Sequence, residues 1–257
     1  MIVKSITIFP VKSLDGMNVD RATLTTGGGF ENDREFALFD ERGKTINGKR
    51  FPRIQQIRTA YDLANREITL SPEGQTVRFH LDRDRSQMEE WFGDFLGVQV
   101  QIKQNAEGGF PDDSERPGPT LASHESYEEV VSWFPHIDPA TIINRFRMNI
   151  ELQGGGKPFW EDQLFKKDMS GCRFSIGEVI LRGIKPCARC PVPTRDPLTG
   201  EGYSGFQKEF MHFRKSTLPE FVSLEQFPHF YMFGVNTNTE ENLKGKEIRV
   251  GDALTLL

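Results

Sequence analysis

The chain of 257 residues is poor in cysteine, with only Cys172, Cys187 and Cys190. A small, odd number is unlike the disulfide framework of a secreted domain and fits a reducing compartment, so a cytoplasmic protein is expected. No run of about 18 apolar residues occurs, which excludes a membrane span of the usual helical kind. The opening MIVKSITIFPVK is too short and too strictly alternating for the apolar segment of a signal peptide. Basic residues are not in excess: 32 Lys and Arg against 37 Asp and Glu give a net charge of −5. That balance argues against a nucleic-acid partner while leaving room for a local basic pocket. Tyrosine and tryptophan are scarce, at four and three, but there are 21 phenylalanines, so the cores should be rich in Phe. Repeats at solenoid periods are absent.

What is present reads mostly as short strands between turn signals. Residues 2–8 alternate. Glu35–Asp40 is apolar and ends in the turn Asp40-Glu41-Arg42-Gly43, leading into Lys44-Thr45-Ile46. Ile68–Leu70 and Val77–Leu81 flank a Ser-Pro-Glu-Gly turn, and Val98, Val100 and Ile102 share one strand face. Later strands are expected at 173–177, 179–183 and 247–256. Two helices are marked. Ser86 with Glu89 fits a capping box ahead of the stripe Met88, Trp91, Phe92 and Phe95. Ser123 caps a second, with the stripe Tyr127, Val130, Val131 and Phe134; both stripes read as core. Between Gln104 and Pro119, Gly, Pro and acidic residues describe a mobile loop or linker and the best domain boundary. The expected fold class is mainly β with some α, built of barrel-like units: residues 1–105 form an N-terminal β-rich region, whose first strands can join the second unit, and residues 106–257 a second barrel.

Three segments contain candidate chemistry. The first is Pro186-Cys187-Ala188-Arg189-Cys190-Pro191, in which Arg189 should favour the thiolate of either sulfur. The pair could belong to a zinc site, though only Cys172 and scattered histidines could complete it. It could be a redox dithiol, though Pro191 and Pro193 oppose the helix such a motif usually starts. One thiolate could hold a soft, redox-active metal, or both thiols could be buried as small hydrophobes. The second segment is Pro10-Val11-Lys12-Ser13 with Asp33-Arg34, a plausible phosphate cradle of amine, hydroxyl and guanidinium. Gly27-Gly28-Gly29 nearby allows close backbone approach or an unusual turn. The third is Asn144-Arg145-Phe146-Arg147-Met148-Asn149, leading into a strand, where two guanidiniums can bind an anion and an amide can read a heterocycle edge. Trp160 reads as packing, and Glu161 and Asp162 as candidates to orient these arginines.

In order and spacing these segments resemble a MOSC protein with its N-terminal β-barrel region, a family named for the C-terminal domain of molybdenum-cofactor sulfurase. The resemblance rests on Ile8-Phe9-Pro10-Val11-Lys12-Ser13, Asn32-Asp33-Arg34-Glu35-Phe36, Lys49–Arg53, Arg145–Asn149, Cys187–Cys190 with Asp196–Gly200, Phe233–Asn236 and Ile248–Asp252. Within the family the chain is similar to the amidoxime-reducing component group and its bacterial counterparts. The resemblance implies a molybdenum–molybdopterin cofactor, with Cys190 as metal ligand and catalytic residue. It implies cofactor contacts from Lys12, Ser13, Arg34, Arg147, Asn149, Ala188, Arg189 and Asn236, with Met148 in place of the family's proline; a turn at 116–120 falls in a further contact region. A family-level label of pyridoxal phosphate binding comes with it. The activity implied is reduction of small N-hydroxylated or N-oxide substrates, and a cofactor or sulfur carrier without turnover is the alternative. The chain has no C-x4-C-x2-C run and no N-terminal anchor, so a separate electron donor is expected: a flavoprotein, a ferredoxin or a cytochrome b5-like protein.

Overall fold

In the computed structural model, which describes every residue except 167, 169, 223, 241 and 242, the chain is mainly β with some α. The first strand, β1 (Ile2–Ile8), buries Val3, Ile6 and Ile8. Residues 3 and 6 cannot share a face by simple alternation. A register shift between Val3 and Ser5 reconciles them, inserting a bulge that turns the second half of the strand over. After β2 (Met17–Val19) and β3 (Arg21–Thr23), β4 (Phe36–Asp40) is buried along most of its length. The turn expected at residues 40–43 is present: Asp40 Oδ1 accepts from the amides of Arg42 and Lys44 at 3.0 and 2.8 Å. The meander β5 (Arg58–Asp62), β6 (Glu67–Ser71) and β7 (Val77–His80) contains the expected second hairpin.

Helix α1 (Arg85–Leu96) follows, and its cap differs from the expectation. Asp84 holds the N-cap position, and its carboxylate accepts from the His80 amide at 2.8 Å. Glu89 accepts from Ile102 N in β8 (Val100–Gln104) at 2.7 Å, so it ties helix to strand and closes no capping box. Strands β4 and β8 pair, and Val11, Leu14, Phe36, Leu38, Ile68, Leu70, Met88 and Phe92 form the core of this lobe.

The second half opens with β9 (Leu121–Ser123) and α2 (His124–Trp133). Ser123 caps α2 as expected, its hydroxyl accepting from Ser126 N at 3.3 Å. Two helices lacked a sequence expectation. One is α3 (Pro139–Phe146), which has Asp138 as N-cap and proline in the first turn, and precedes β10 (Ile150–Gln153). Strands β11 (Cys172–Ile176) and β12 (Val179–Ala188) form a hairpin, and β12 runs five residues further than expected. The other helix is α4 (Phe206–Ser216), followed by β13 (Met232–Thr239). The single strand expected at 247–256 is two, β14 (Glu247–Arg249) and β15 (Leu254–Leu256). Gly251 at φ +91° turns the chain between them, and they pair with β3 and β11 respectively.

Eight strands make one sheet in the order β15-β11-β12-β13-β9-β10-β1-β2. An Ile2–Ala253 bridge, with backbone bonds Val3 N to Asp252 O and Leu254 N to Met1 O (both 2.9 Å), brings the β15 end back to β1. The sheet therefore curls on itself around Val3, Ile6, Ile8, Leu121, Ile150, Phe174 and Val235. The Phe richness is concentrated in a second core outside it, where Phe134 stacks on Phe206 (4.4 Å between centroids) and Phe146 packs on Phe233 (4.3 Å). Residues 105–119 are irregular but not free. Asn105 N donates to Glu35 O (2.8 Å), Gly27 N to Glu107 O (3.1 Å), Phe110 N to Arg34 O (2.8 Å) and Gly118 N to Thr237 O (3.1 Å), so the expected mobile linker is strapped down along its length.

Candidate functional site

The chain leaving β1 and the chain entering β4 are laced together. Phe9 N donates to Asp33 Oδ1 (2.8 Å), Arg34 N to Phe9 O (2.7 Å), and Lys12 N to Phe36 O (2.8 Å). This lacing puts Lys12, Ser13 and Arg34 together. Ser13 and Arg34 take left-handed backbone, at φ 73° and 51°, as does Arg147 at φ 54° where α3 stops. Such angles cost non-glycine residues of order 1–3 kcal/mol each and gather at functional sites, where the surrounding structure enforces them.

Arg34 and Arg147 both lie over the Phe9 ring, at 4.9 and 4.2 Å from its centroid. Arg34 pairs with Asp33 and donates to Asn149 Oδ1 at 3.3 Å. That oxygen also accepts from Thr120 N and Oγ1 (3.2 and 3.1 Å), while Asn149 Nδ2 donates to Thr7 O (3.1 Å). The amide thus braces Arg34 and leaves one N–H for anything else. Arg147 is different: its guanidinium has no hydrogen-bond acceptor or ion-pair partner among the described residues. Burial, then repulsion from Arg34, lowers its pKa to about 10. Its nitrogens are not sealed from solvent, and a half-buried guanidinium beside a second cation is a setting that favours an anionic ligand. Lys12 Nζ donates to Phe110 O (2.9 Å) and pairs with Asp112 (2.5 Å).

The cysteine segment reaches the same place. Strand β12 ends at Ala188, and Pro191 and Pro193 prevent its continuation. Arg189 Nη2 donates to Phe146 O at 2.5 Å, next to Arg147, and Nη1 meets Met148 Sδ at 3.7 Å. Met148 is accommodated because Gly234, at φ +75°, has no Cβ to collide with its methyl group. The two sulfurs differ. Cys190 is exposed. Cys187 is buried, donates to Asn236 Oδ1 at 3.1 Å, and has its pKa pushed up to about 12 by burial despite Arg189. The expectation that Arg189 favours the thiolate of either sulfur therefore fails for Cys187, because desolvation outweighs the guanidinium. Among the described residues no three His, Cys, Asp or Glu side chains converge as metal ligands, so a zinc site made of protein alone has no basis. No observation supports the pyridoxal phosphate label.

Arg145, Glu161 and Asp162 are not part of this mouth. Arg145 is buried and donates to Pro193 O at 3.0 Å, holding the turn that follows Cys190. Glu161 accepts from Ser123 and Ser126 (2.7 and 2.9 Å), and Asp162 pairs with Arg214. The expected orientation of Arg145 and Arg147 by these carboxylates is therefore incorrect: Asp162 serves Arg214, a residue with no sequence expectation, and Glu161 serves two serines. The signal for Arg214 is a basic residue on the apolar stripe of α4, four residues after Phe210 and eight after Phe206. The strap residues Phe110 and Asp112 were also missed, because an acidic loop looks like a solvated linker.

Two family models match the chain: the MOSC N-terminal beta barrel domain over residues 1–97 and the MOSC domain over residues 119–255. The chain belongs to the MOSC family. Among curated relatives of this MOSC protein, molybdenum cofactor sulfurase from Caenorhabditis elegans is 24% identical over 218 residues, covering 75% of the chain and 29% of the sulfurase. Mitochondrial amidoxime reducing component 2 from Bos taurus is 24% identical over 243 residues, covering 77% of the chain and 67% of that protein. The chain thus spans less than a third of the sulfurase it matches. Among solved structures, the YUAD protein from Bacillus subtilis aligns over 98% of the chain and 93% of its own, with a TM-score of 0.43 and 10% identity. Among the described residues no helix is long and apolar enough to cross a membrane.

Proposed function

We propose that this MOSC protein is a molybdenum-cofactor-dependent oxidoreductase that reduces N-hydroxylated or N-oxide substrates. The observation that carries the reading is Arg147, a guanidinium with no acceptor among the described residues, which shares the Phe9 ring with Arg34 and is linked through Phe146 to the segment bearing an exposed Cys190. This donor set fits a group with an anionic tail and a soft metal: cations for the one, a thiol for the other. Lys12, Arg34 and Arg147, with the Ser13 hydroxyl, would hold the tail, and Cys190 would hold the metal. When bound, the cofactor supplies a two-electron couple, so that an N–OH substrate with two electrons and two protons gives the N–H product and water.

The chain's own residues do the positioning. Asn149 and Asp33 fix Arg34, so its guanidinium is set before the ligand arrives. Phe9 gives both arginines one flat support. Cys187 stays a neutral thiol and anchors Asn236 rather than taking part as a second thiolate. Electrons come from a separate donor protein. Both relatives' names support the reading, one by its cofactor and one by its reaction.

The test is purification from a molybdopterin-competent host, metal analysis, and an aromatic amidoxime assay with a chemical reductant. Molybdenum with turnover is expected. Molybdenum without turnover indicates a cofactor carrier, and no molybdenum indicates a thiol protein. Reductase activity that survives Cys190→Ala would sink the role of this sulfur.

A further inference from the structure

The carboxylate of Asp112 stands in the mouth just described, on the strap formed by residues 105–119. Its neighbour Asp113 is firmly held: Lys185 lies at 2.8 Å, Glu115 N donates at 3.2 Å, and Arg116 lies at 3.5 Å. Among the described residues Asp112 has one tie, to Lys12 Nζ at 2.5 Å. Lys12 is 13% exposed and Asp112 is 84% exposed, so the pair joins a sheltered cation to a carboxylate washed by solvent. A single ion pair of this kind contributes at most about 1 kcal/mol and exchanges readily. Protein surrounds the mouth and opposes the charge on Asp112, yet Lys12, then Arg34 and Arg189, outweigh that and hold its pKa at about 2. Arg34 and Arg147 in turn feel Asp112. One loosely held carboxylate therefore faces every cation of the site, where the anionic end of a ligand belongs.

We propose that Asp112 is an exchangeable internal counter-ion: it neutralises Lys12 in the empty site, and an incoming phosphate-bearing ligand reaches Lys12 only by displacing it. This rests on the cofactor reading only for the identity of the natural ligand; the exchange is a property of any phosphate at this mouth. Two consequences have opposite signs. Removing the carboxylate leaves the cations repelling one another and destabilises the empty protein. It also removes the competitor and strengthens phosphate binding.

The experiment uses ligand-free full-length protein and inorganic pyrophosphate as probe, with affinity by calorimetry and stability by thermal melting at low salt. Asp112→Asn should bind pyrophosphate at least about fivefold tighter than wild type and melt lower without it. Lys12→Met should weaken binding, and adding Asp112→Asn to it should restore little, because the two changes remove one contact. Glu73→Gln, in the distant β6–β7 turn, controls for net charge. Equal or weaker affinity in Asp112→Asn, a gain no larger than that of Glu73→Gln, or no binding by any variant overturns the proposal. Molybdenum content is measured separately. Molybdenum present with Asp112 inert removes the counter-ion and keeps the oxidoreductase; the reverse keeps the anion site and removes the cofactor reading.

Discussion

Arg147 is held in a backbone angle that suits glycine, beside another guanidinium and without an acceptor among the described residues. The backbone angle and the like charge oppose folding of the empty protein, and all three features have a use once an anion is bound. Arg147→Gly should therefore stabilise the ligand-free protein, by about 1 kcal/mol, while lowering its molybdenum content. Urea unfolding of the apo forms and metal analysis of the purified variants read the two effects independently. Glu161 shows a second conflict. Burial, then the nearby Asp162, raises its pKa from 4.5 to about 7. The unfolded chain loses this proton near pH 4.5 and the folded chain keeps it to about 7, so stability falls as pH rises across that window and levels off above it. Glu161→Gln should abolish this fall, which thermal melts between pH 4 and 8 would record. Neither conflict was legible in the sequence. Arg147 and Glu161 were both picked out, but what matters about them is the backbone angle of one and the desolvation of the other, and both are set by the surrounding fold.

At the scale of elements, the aromatic core beneath the cysteine segment depends on how α4 is fastened. Arg214 lies 3.8 Å from the centre of the Phe159 ring and pairs with Asp162 in the turn at 160–164, with both charges almost fully buried. Breaking one partner of such a pair leaves the other charge stranded. Asp162→Ala should cost about 3–5 kcal/mol, seen as a lower urea midpoint, and an Asp162→Ala/Arg214→Met double variant should recover part of the loss. Elements with local signals were readable: the Ser123 cap, the hairpin turn at Asp40, and the strands at 173–176 and 179–183. Helix α4 lacks a polar N-cap, beginning at Gly205 instead, and so escaped notice. The capping box assigned to Ser86 and Glu89 was wrong because Asp84 starts the helix earlier and Glu89 faces β8. The long strand expected at 247–256 breaks where Gly251 lets its halves join different partners, a choice made by tertiary pairing.

At the scale of the molecule, the N-terminal strand belongs structurally to the C-terminal half. Strand β1 pairs with β10 and meets the β15 end, so the large sheet cannot curl closed without residues 1–8. A fragment of residues 106–257 should lack a cooperative thermal transition, since it leaves β10 an open edge and removes Val3, Ile6 and Ile8 from the core. Recovery of a sharp melt in that fragment would contradict this account of the sheet. The same topology is what makes the site: Lys12 and Arg34 reach the cysteine segment because β1 crosses between the halves. Composition and motif order revealed the fold class and the segments that meet. They did not reveal that the acidic stretch at 105–119 folds back over the basic mouth, because its contacts to Arg34, Lys12 and Thr237 are long-range.

The central claim is that Cys190, exposed and next in sequence to Arg189, holds the metal of a bound cofactor. Molybdenum per chain, measured in wild type, Cys187→Ser and Cys190→Ser purified side by side from a molybdopterin-competent host, tests it most directly. Near-stoichiometric molybdenum in wild type and Cys187→Ser, with loss in Cys190→Ser, is the expected result. Equal molybdenum in Cys190→Ser and wild type, or none in wild type, would contradict it.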